Sequence, residues 1–329
     1  MHVGSRLRIV LLVALAGLAA AGCGKQEAVP AAAAPAPPVA VVAPVVTAAA
    51  APAKVPEAAA AAAPAPHPAA AEADPAAPAA VDPTATGQLR VVFEPSKSTK
   101  SAPLAAKLRD AAAFTGLVKG LNAHLRLPRD LPIRFADCSA EQEDQGAYYD
   151  EETRAILVCW SEVREMADGF VRDAKADHED PKEAEASLVG ATLFTVLHEI
   201  AHALVHVLDL PITGREEDAA DQLATWLLVS DADHAGADMA IDGALSFLHD
   251  AGAEDKDGED PATWDEHSLS EQRFYNIVCW VYGSQPDAFG DLLESKDGPL
   301  PDDRAEVCPD EWKKLASAWP RLLEDHLRR

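Results

Sequence analysis

The amino-acid sequence predicts an α+β fold that is mostly helical, with a small N-terminal β-sheet and a pair of consecutive helices in its second half. Three short stretches between residues 88 and 160 are rich in β-branched and aromatic residues, which is typical of strands. From residue 161 onward, apolar residues recur at helical spacing in several longer stretches. A strongly biased alanine and proline region precedes them, so we place the folded domain at residues 88–329.

Residues 1–22 have the features of a secretory signal peptide. Arg6 and Arg8 precede an apolar run of about 13 residues, shorter than the roughly 20 residues that a membrane span requires. The sequence LAAAGC at residues 18–23 resembles the lipobox of bacterial lipoproteins, in which the cysteine is lipidated and becomes the first residue. The alternative is a cleaved signal that leaves Cys23 unmodified. We expect export in either case, and a lipid on Cys23 would anchor the chain to the bacterial cell envelope, in the periplasm or at the outer membrane.

Residues 23–87 consist mostly of alanine and proline. The prolines interrupt any alanine helix, and too few large side chains are present to form a hydrophobic core. We therefore predict a disordered tether that starts at the lipidated Cys23 and leads to the folded domain.

The chain is strongly acidic, with a formal net charge of −26. This charge argues against binding to nucleic acid and against electrostatic binding to anionic lipids. We therefore expect the membrane to be contacted through the lipid on Cys23, and we expect the protein to be a monomer.

Four cysteines lie in the domain, and none forms a CxxC motif, which disfavours a zinc ribbon or thioredoxin-like chemistry. An even number of cysteines in an exported chain predicts disulfides. Pairing between sequence neighbours gives Cys138–Cys159 and Cys279–Cys308, each worth about 3 kcal/mol of stability by the loop-entropy relation.

Strand and helix patterns alternate in the first half of the domain. The predicted strands are residues 88–95, 132–138 and 146–160, and the last of them folds into a hairpin at residues 150–153. The predicted helices are residues 102–127, which end before a proline, and residues 161–176.

The second half of the domain is predicted to be helical, and its first helix is the most informative. Asp180 is placed to cap this helix and Pro181 occupies its first position. The helix is apolar on nearly all sides to Leu208, which predicts burial. Thr213 and Glu216 match a capping box that begins a second helix. Later helices are predicted at residues 236–250, 268–282 and 310–327.

The motif HEIAH lies within the buried helix. His198 and His202 are four residues apart, so both rings can direct a nitrogen to one zinc ion at roughly 2.1 Å. Glu199 lies one position further round the helix, where it can accept a proton from water on the metal. The alternative is that these are hydrogen-bonded polar residues of the core.

Four residues compete to be the third ligand: His206, Glu216, Glu217 and Asp218. His206 lies about 12 Å from His198 along the helix axis and on another side of it, so we predict a role other than metal binding. We assign Glu216 to the capping box. Glu217 and Asp221 share a face of the second helix, and we predict Glu217 as the ligand and Asp221 as the residue that orients His198.

The pattern HEIAH followed by EDAAD resembles the HExxH…ExxxD pattern of the glutamate-zincins, the thermolysin-like clan. Together with the stretches RFADC, YYDEETRAILVC and DEHSLSEQRFYNIVCWVYGSQP, it resembles a bacterial family of inferred metallopeptidases without an assigned substrate. This resemblance covers residues 89–323 and implies a zincin-like catalytic domain.

Zincins of this clan take a histidine or tyrosine from a later segment to stabilise the oxyanion, which makes His267 the candidate here. Arg273 and Tyr275 follow it in the same segment. The alternative is that His267 caps a helix and Tyr275 packs in the core. The hairpin at residues 147–159 could offer an edge strand to an extended substrate.

Three classes of function are compatible with these residues. The leading prediction is a zinc metallopeptidase that acts on a peptide or protein substrate, with Glu199 activating water held by His198, His202 and Glu217. A second possibility is a catalytically inactive binding or scaffold lipoprotein that zinc stabilises. A third is an envelope protein that interacts through its acidic surface and tether.

Overall fold

The computed structural model describes residues 85–328, except for residues 144, 177, 179, 231–234, 258–262 and 297. The predicted signal peptide, the lipidation site at Cys23 and all but the last residues of the predicted tether lie outside the described residues. The described residues belong to one compact unit.

The first half of the unit alternates strands and helices, as the sequence patterns predict. Residue 102 begins a helical region that the sequence suggests is continuous to residue 127, but the structure divides it in two. The elements in chain order are β1 (Leu89–Phe93), α1 (Ala102–Asp110), α2 (Ala112–His124), β2 (Leu131–Ala136), α3 (Ala140–Glu143), β3 (Ala147–Asp150), β4 (Ala155–Cys159) and α4 (Trp160–Ala176).

The break between α1 and α2 lies at Ala111, whose backbone is extended with a ψ of 119°. In α1 the buried residues include Leu108, and in α2 they include Phe114 and Leu121. At about 100° per residue, a continuous helix would turn Phe114 and Leu121 about 120–140° away from Leu108 around the helix axis. The break allows both apolar faces to point into the core, and the prediction of a single helix was therefore wrong.

The four strands form one mixed sheet with the order β1-β2-β4-β3. β1 pairs with β2 in parallel, β2 pairs with β4 in parallel, and β3 pairs with β4 in an antiparallel hairpin. This arrangement confirms the predicted hairpin and places β3 at the edge of the sheet. The mostly helical α+β fold class is also confirmed.

The second half of the unit is helical. Short 3₁₀ turns follow α8 and α10, so the last predicted helix ends earlier than the sequence suggests. The helices are α5 (Pro181–Leu208), α6 (Glu216–Val229), α7 (Ala235–Asp257), α8 (Ser270–Ser284), α9 (Asp302–Ala305) and α10 (Cys308–Leu323).

α5 lies at the centre of the unit and packs against α4, α6, α7 and the edge strand β3. Asp180 caps it as predicted, because its side chain accepts a hydrogen bond from the backbone N–H of Lys182 at 3.0 Å. By length and composition, α5 is the one helix among the described residues that could cross a membrane. However, 78% of its apolar stretch is buried inside the fold, which is the pattern of a core helix.

The capping box predicted for α6 is wrong. Arg215 occupies the cap position, and no side chain makes a capping hydrogen bond there. The carboxylate of Glu216 instead contacts His202 on α5. The capping-box pattern includes only neighbouring residues, whereas the carboxylate of Glu216 contacts His202, 14 positions away in sequence.

Both predicted disulfides are confirmed. Cys138–Cys159 joins the segment after β2 to the end of β4. Cys279–Cys308 joins α8 to the start of α10. Each bond joins two elements that are separated in sequence, by 21 and 29 residues.

Candidate metal centre

Two imidazoles and one carboxylate meet where α5 approaches the start of α6. His198 and His202 lie one turn apart on α5, and their Nε2 atoms are 3.1 Å apart. The Oε2 atom of Glu217 lies 3.1 Å from Nε2 of His198, and its Oε1 atom lies 3.3 Å from Nε2 of His202. One potential ligand atom from each residue falls within 4.8 Å of the other two. The three side chains can therefore hold one metal ion.

A buried carboxylate on α6 fixes the orientation of the His198 ring. Its Nδ1 atom lies 2.8 Å from Oδ1 of Asp221, whose side chain is only 3% exposed. The hydrogen bond at Nδ1 leaves Nε2 directed at Glu217 and His202. This is the contact that sequence spacing suggests for Asp221.

Arg273 on α8 supports the same carboxylate. Its Nε atom donates to Oδ2 of Asp221 at 2.8 Å, and its Nη2 atom donates to Oδ1 at 2.8 Å. The guanidinium also lies over the ring of Phe247, 3.8 Å from the ring centre. Through these contacts, α8 is held against α6 next to His198. The buried carboxylate of Asp221 therefore has a positively charged partner.

The other histidine contacts a carboxylate too. Nδ1 of His202 lies 2.8 Å from Oε1 of Glu216, whose side chain is 47% exposed. Two consecutive glutamates at the start of α6 thus reach both nitrogens of one imidazole.

Glu199 faces the same cleft but is not one of the three converging side chains. It is 6% exposed, and the backbone N–H of Tyr149 on β3 donates a hydrogen bond to it. Burial raises the pKa of its carboxyl group, although the neighbouring histidines oppose that effect. Glu199 is therefore a buried carboxyl beside the converging side chains, with a raised proton affinity.

His267 lies in the loop before α8, and its side chain contacts Glu217 of the centre. Its Nε2 atom is 3.1 Å from Oε2 of Glu217, and its Nδ1 atom is 3.0 Å from Oδ1 of Asp265. α8 begins at Ser270, so His267 does not occupy the cap of that helix. Tyr275 is 38% exposed, so the alternative that it packs in the core is wrong.

His206 lies outside this group. It is exposed, and its Nδ1 atom is 3.0 Å from the hydroxyl of Tyr149 on the edge strand. It therefore contacts β3 one turn beyond His202.

The histidines and Glu217 of the centre shift one another's pKa values. Burial alone would raise the pKa of Glu217, but hydrogen bonds from His198, His202 and His267 hold it far below its usual range. Burial would lower the pKa of His202, but the carboxylate of Glu217 outweighs that effect and raises it to about 9. The same carboxylate raises the pKa of His267 to about 9. The group therefore attracts positive charge.

This donor set fits a divalent metal. Two imidazole nitrogens 3.1 Å apart repel when both are unprotonated, and they cannot both direct protons at each other. A cation between them removes both conflicts and replaces the protons. Two histidines and one glutamate are also a ligand set of catalytic zinc sites, in which tetrahedral bonds of about 2.0–2.1 Å place ligand atoms about 3.4 Å apart.

The centre opens into a cleft of about 780 Å³. One wall is the edge strand, with Ala147, Tyr148 and Tyr149, and the other includes Glu266 and His267 from the loop before α8. Glu199 also lines the cleft, so a substrate in it would meet that carboxyl and the converging side chains together.

Sequence patterns did not assign two of these contacts. Arg273 lies in the same sequence segment as His267, but its pairing with Asp221 joins residues 52 positions apart. The contact of Glu216 was hidden by a capping pattern. A usable signal for Arg273 was its place directly before the buried Phe274 in α8, where a charged side chain that becomes buried needs a partner.

Comparison with known proteins gives one family. A protein family described as “Putative metallopeptidase” matches residues 93–323, which include every residue of the centre. No curated protein and no solved structure gives a significant match. The chain therefore belongs to this metallopeptidase family.

Proposed function

We propose that the protein is a zinc-dependent peptidase that hydrolyses peptide bonds in the bacterial cell envelope. The observation that carries this proposal is the buried Glu199 carboxyl beside the converging His198, His202 and Glu217 in an open cleft. The location in the envelope rests on the signal-like sequence of residues 1–22 and on Cys23. The family description supports the general class of activity.

In this proposal, His198, His202 and Glu217 would hold zinc. The bound ion would supply Lewis acidity, lowering the pKa of water at the site and polarising the substrate carbonyl. Asp221 and Arg273 would keep His198 in the orientation that binding needs.

Glu199 would act as the general base and then as the general acid. Its raised pKa favours accepting a proton from the attacking water, and the same proton can pass to the leaving amine. The hydrogen bond from the backbone of Tyr149 holds the carboxyl beside the cleft without occupying its full acceptor capacity.

His267 would stabilise the negative charge that develops on the carbonyl oxygen. Its imidazole lines the cleft, and the carboxylate of Asp265 would accept a hydrogen bond from Nδ1–H. Donation from both nitrogens requires the protonated ring, which the raised pKa of about 9 favours. Nε2, which contacts Oε2 of Glu217 in this structure, would then donate to the developing oxyanion.

The edge strand β3 would bind the substrate backbone. The carbonyl of Gly146 accepts from Cys159, so the even-numbered residues direct their backbone groups toward β4. The backbone groups of Ala147 and Tyr149 consequently point away from the sheet, and the N–H of Tyr149 reaches Glu199. An extended peptide paired with this edge would place its backbone beside the general base.

The substitution Glu199→Gln tests the proposal. Purified wild-type protein should contain about one zinc per chain and cleave casein or a peptide library, and a chelator should abolish cleavage. The Gln variant should keep the zinc and lose at least about 100-fold in rate, because a general base contributes roughly 10²–10⁴-fold. Wild-type protein that holds zinc but cleaves nothing would instead support the inactive binding or scaffold lipoprotein.

A further inference from the structure

We propose that Glu216 is a positioning residue that holds His202 in the orientation and tautomer required for metal binding. This inference rests on the proposed metal site. It assigns to Glu216 a role in metal affinity, which the capping pattern in its sequence conceals.

The contacts of His202 divide cleanly between its two nitrogens. Nε2 faces the centre, 3.1 Å from Nε2 of His198 and 3.3 Å from Oε1 of Glu217. Nδ1 faces the other way, 2.8 Å from Oε1 of Glu216. A carboxylate accepts hydrogen bonds only, so it favours the tautomer that carries its proton on Nδ1. The lone pair of Nε2 is then free for a metal.

The arrangement matches the one behind His198, where Asp221 contacts Nδ1 at 2.8 Å and leaves Nε2 facing the centre. Each histidine is therefore oriented by its own carboxylate. Carboxylates in this position fix the ring and make its other nitrogen a better donor to metals.

The two supports differ in exposure. Asp221 is 3% exposed and is paired with Arg273, whereas Glu216 is 47% exposed. Water competes for an exposed carboxylate, so we expect the loss of Glu216 to weaken zinc binding less than the loss of Asp221 does.

Zinc affinity, measured by competition with a chromophoric chelator, tests the inference without any assay of hydrolysis. We expect Glu216→Ala to bind zinc about 10-fold more weakly than wild type, at the low end of the 10–100-fold seen for such outer residues. Glu216→Gln keeps an oxygen acceptor without the charge and should recover part of that loss. Asp221→Asn serves as the reference for a stronger support.

Glu183 provides the matched control. It is an exposed glutamate in the first turn of α5, as Glu216 is in the first turn of α6, and it lies at the opposite end of α5 from the centre. Glu183→Ala should leave zinc affinity within twofold of wild type. The visible spectrum of the cobalt-substituted protein should change in Glu216→Ala and not in Glu183→Ala, because only the former alters the ligand field.

The outcomes separate this inference from the proposed function. If wild-type protein binds no zinc, the proposed metal site fails and the inference fails with it. If wild type binds zinc and Glu216→Ala binds it equally well, only the role of Glu216 is overturned. Thermal unfolding of the metal-free Glu216 and Glu183 variants should stay close to that of metal-free wild type, and Glu216→Gln carries the test if the Ala variant does not fold.

Discussion

Asp221 supports the candidate metal centre because its carboxylate contacts both His198 and Arg273. Burial would raise the pKa of its carboxyl group, but the charge and hydrogen bonds of Arg273, together with His198, lower it to about 2. The carboxylate is therefore ionised at neutral pH although it is almost fully buried. A buried ion is tolerated only while its partners remain in place.

Replacing Arg273 with methionine should expose this dependence. The substitution leaves Asp221 buried beside His198 without its cation, and breaking a buried pair in this way costs about 3–5 kcal/mol. Urea unfolding at neutral pH measures the loss. The double variant Arg273→Met with Asp221→Asn removes the unpaired charge and should recover part of the stability. A cost below about 1 kcal/mol for Arg273→Met would show that water or another group compensates the carboxylate.

At the scale of elements, the patterns that predicted structure correctly are local. The capped apolar run gave α5, and the alternation on either side of residues 150–153 gave the β3–β4 hairpin. The prediction of one helix at residues 102–127 failed because the direction in which each half is buried depends on its neighbours in the fold, which are β1 for α2 and α4 for α1. A periodicity shows that a face is apolar but does not show where the core lies.

The candidate site shows the same difference between local spacing, which the sequence reveals, and contacts between elements, which it does not. His198 and His202 come from one helix, and the spacing along that helix is sufficient to bring them together. The pairing of Arg273 with Asp221 joins α8 to α6, and Glu216 reaches α5 across the gap between two helices. Such contacts depend on how elements pack, and no local pattern within one element contains that information.

The contact between α5 and α7 contains another carboxyl group with a strongly shifted pKa, outside the candidate metal centre. Gly190 of α5 lets Asp242 of α7 approach closely, since a side chain at Gly190 would clash with its Oδ2 atom. Burial raises the pKa of Asp242 to about 6, and the nearby charge of Asp238 adds to that effect, although a hydrogen bond with Ser187 opposes it. Ionised Asp242 therefore destabilises this contact.

The substitution Asp242→Asn should stabilise the protein in a pH-dependent way. The unfolded chain loses the proton of Asp242 near pH 3.8, whereas the folded protein retains it to about pH 6. Stability due to this group is thus complete below about pH 4 and is lost as the pH rises through 6. A shift of about two units corresponds to about 3 kcal/mol, which partial exposure reduces to about 1–2 kcal/mol. Urea unfolding should show that gain for the Asn variant at pH 7 and little difference at pH 4, and an equal gain at both pH values would contradict the assignment.

At the scale of the whole molecule, the candidate metal centre joins parts of the fold that are distant in sequence. α5 and α6 supply the converging side chains, and α8 with the loop before it supplies Arg273 and His267. These groups meet only in the folded state. A metal that binds them therefore stabilises the folded protein over the unfolded chain.

Removal of zinc should consequently lower the Tm of the wild-type protein. At free zinc 100 times the dissociation constant, binding to the folded state adds about 2.7 kcal/mol. A domain of this size gains about 2–4 °C per kcal/mol, so we expect a chelator to lower the Tm by about 5–10 °C and added zinc to restore it. Glu199→Gln should show the same shift because Glu199 is not one of the proposed ligands, whereas Glu217→Ala should show little or none. Magnesium is the control, since it prefers six oxygen ligands and should not restore the Tm. A wild-type Tm that does not respond to zinc would mean that the histidines and Glu217 are held together by protons alone.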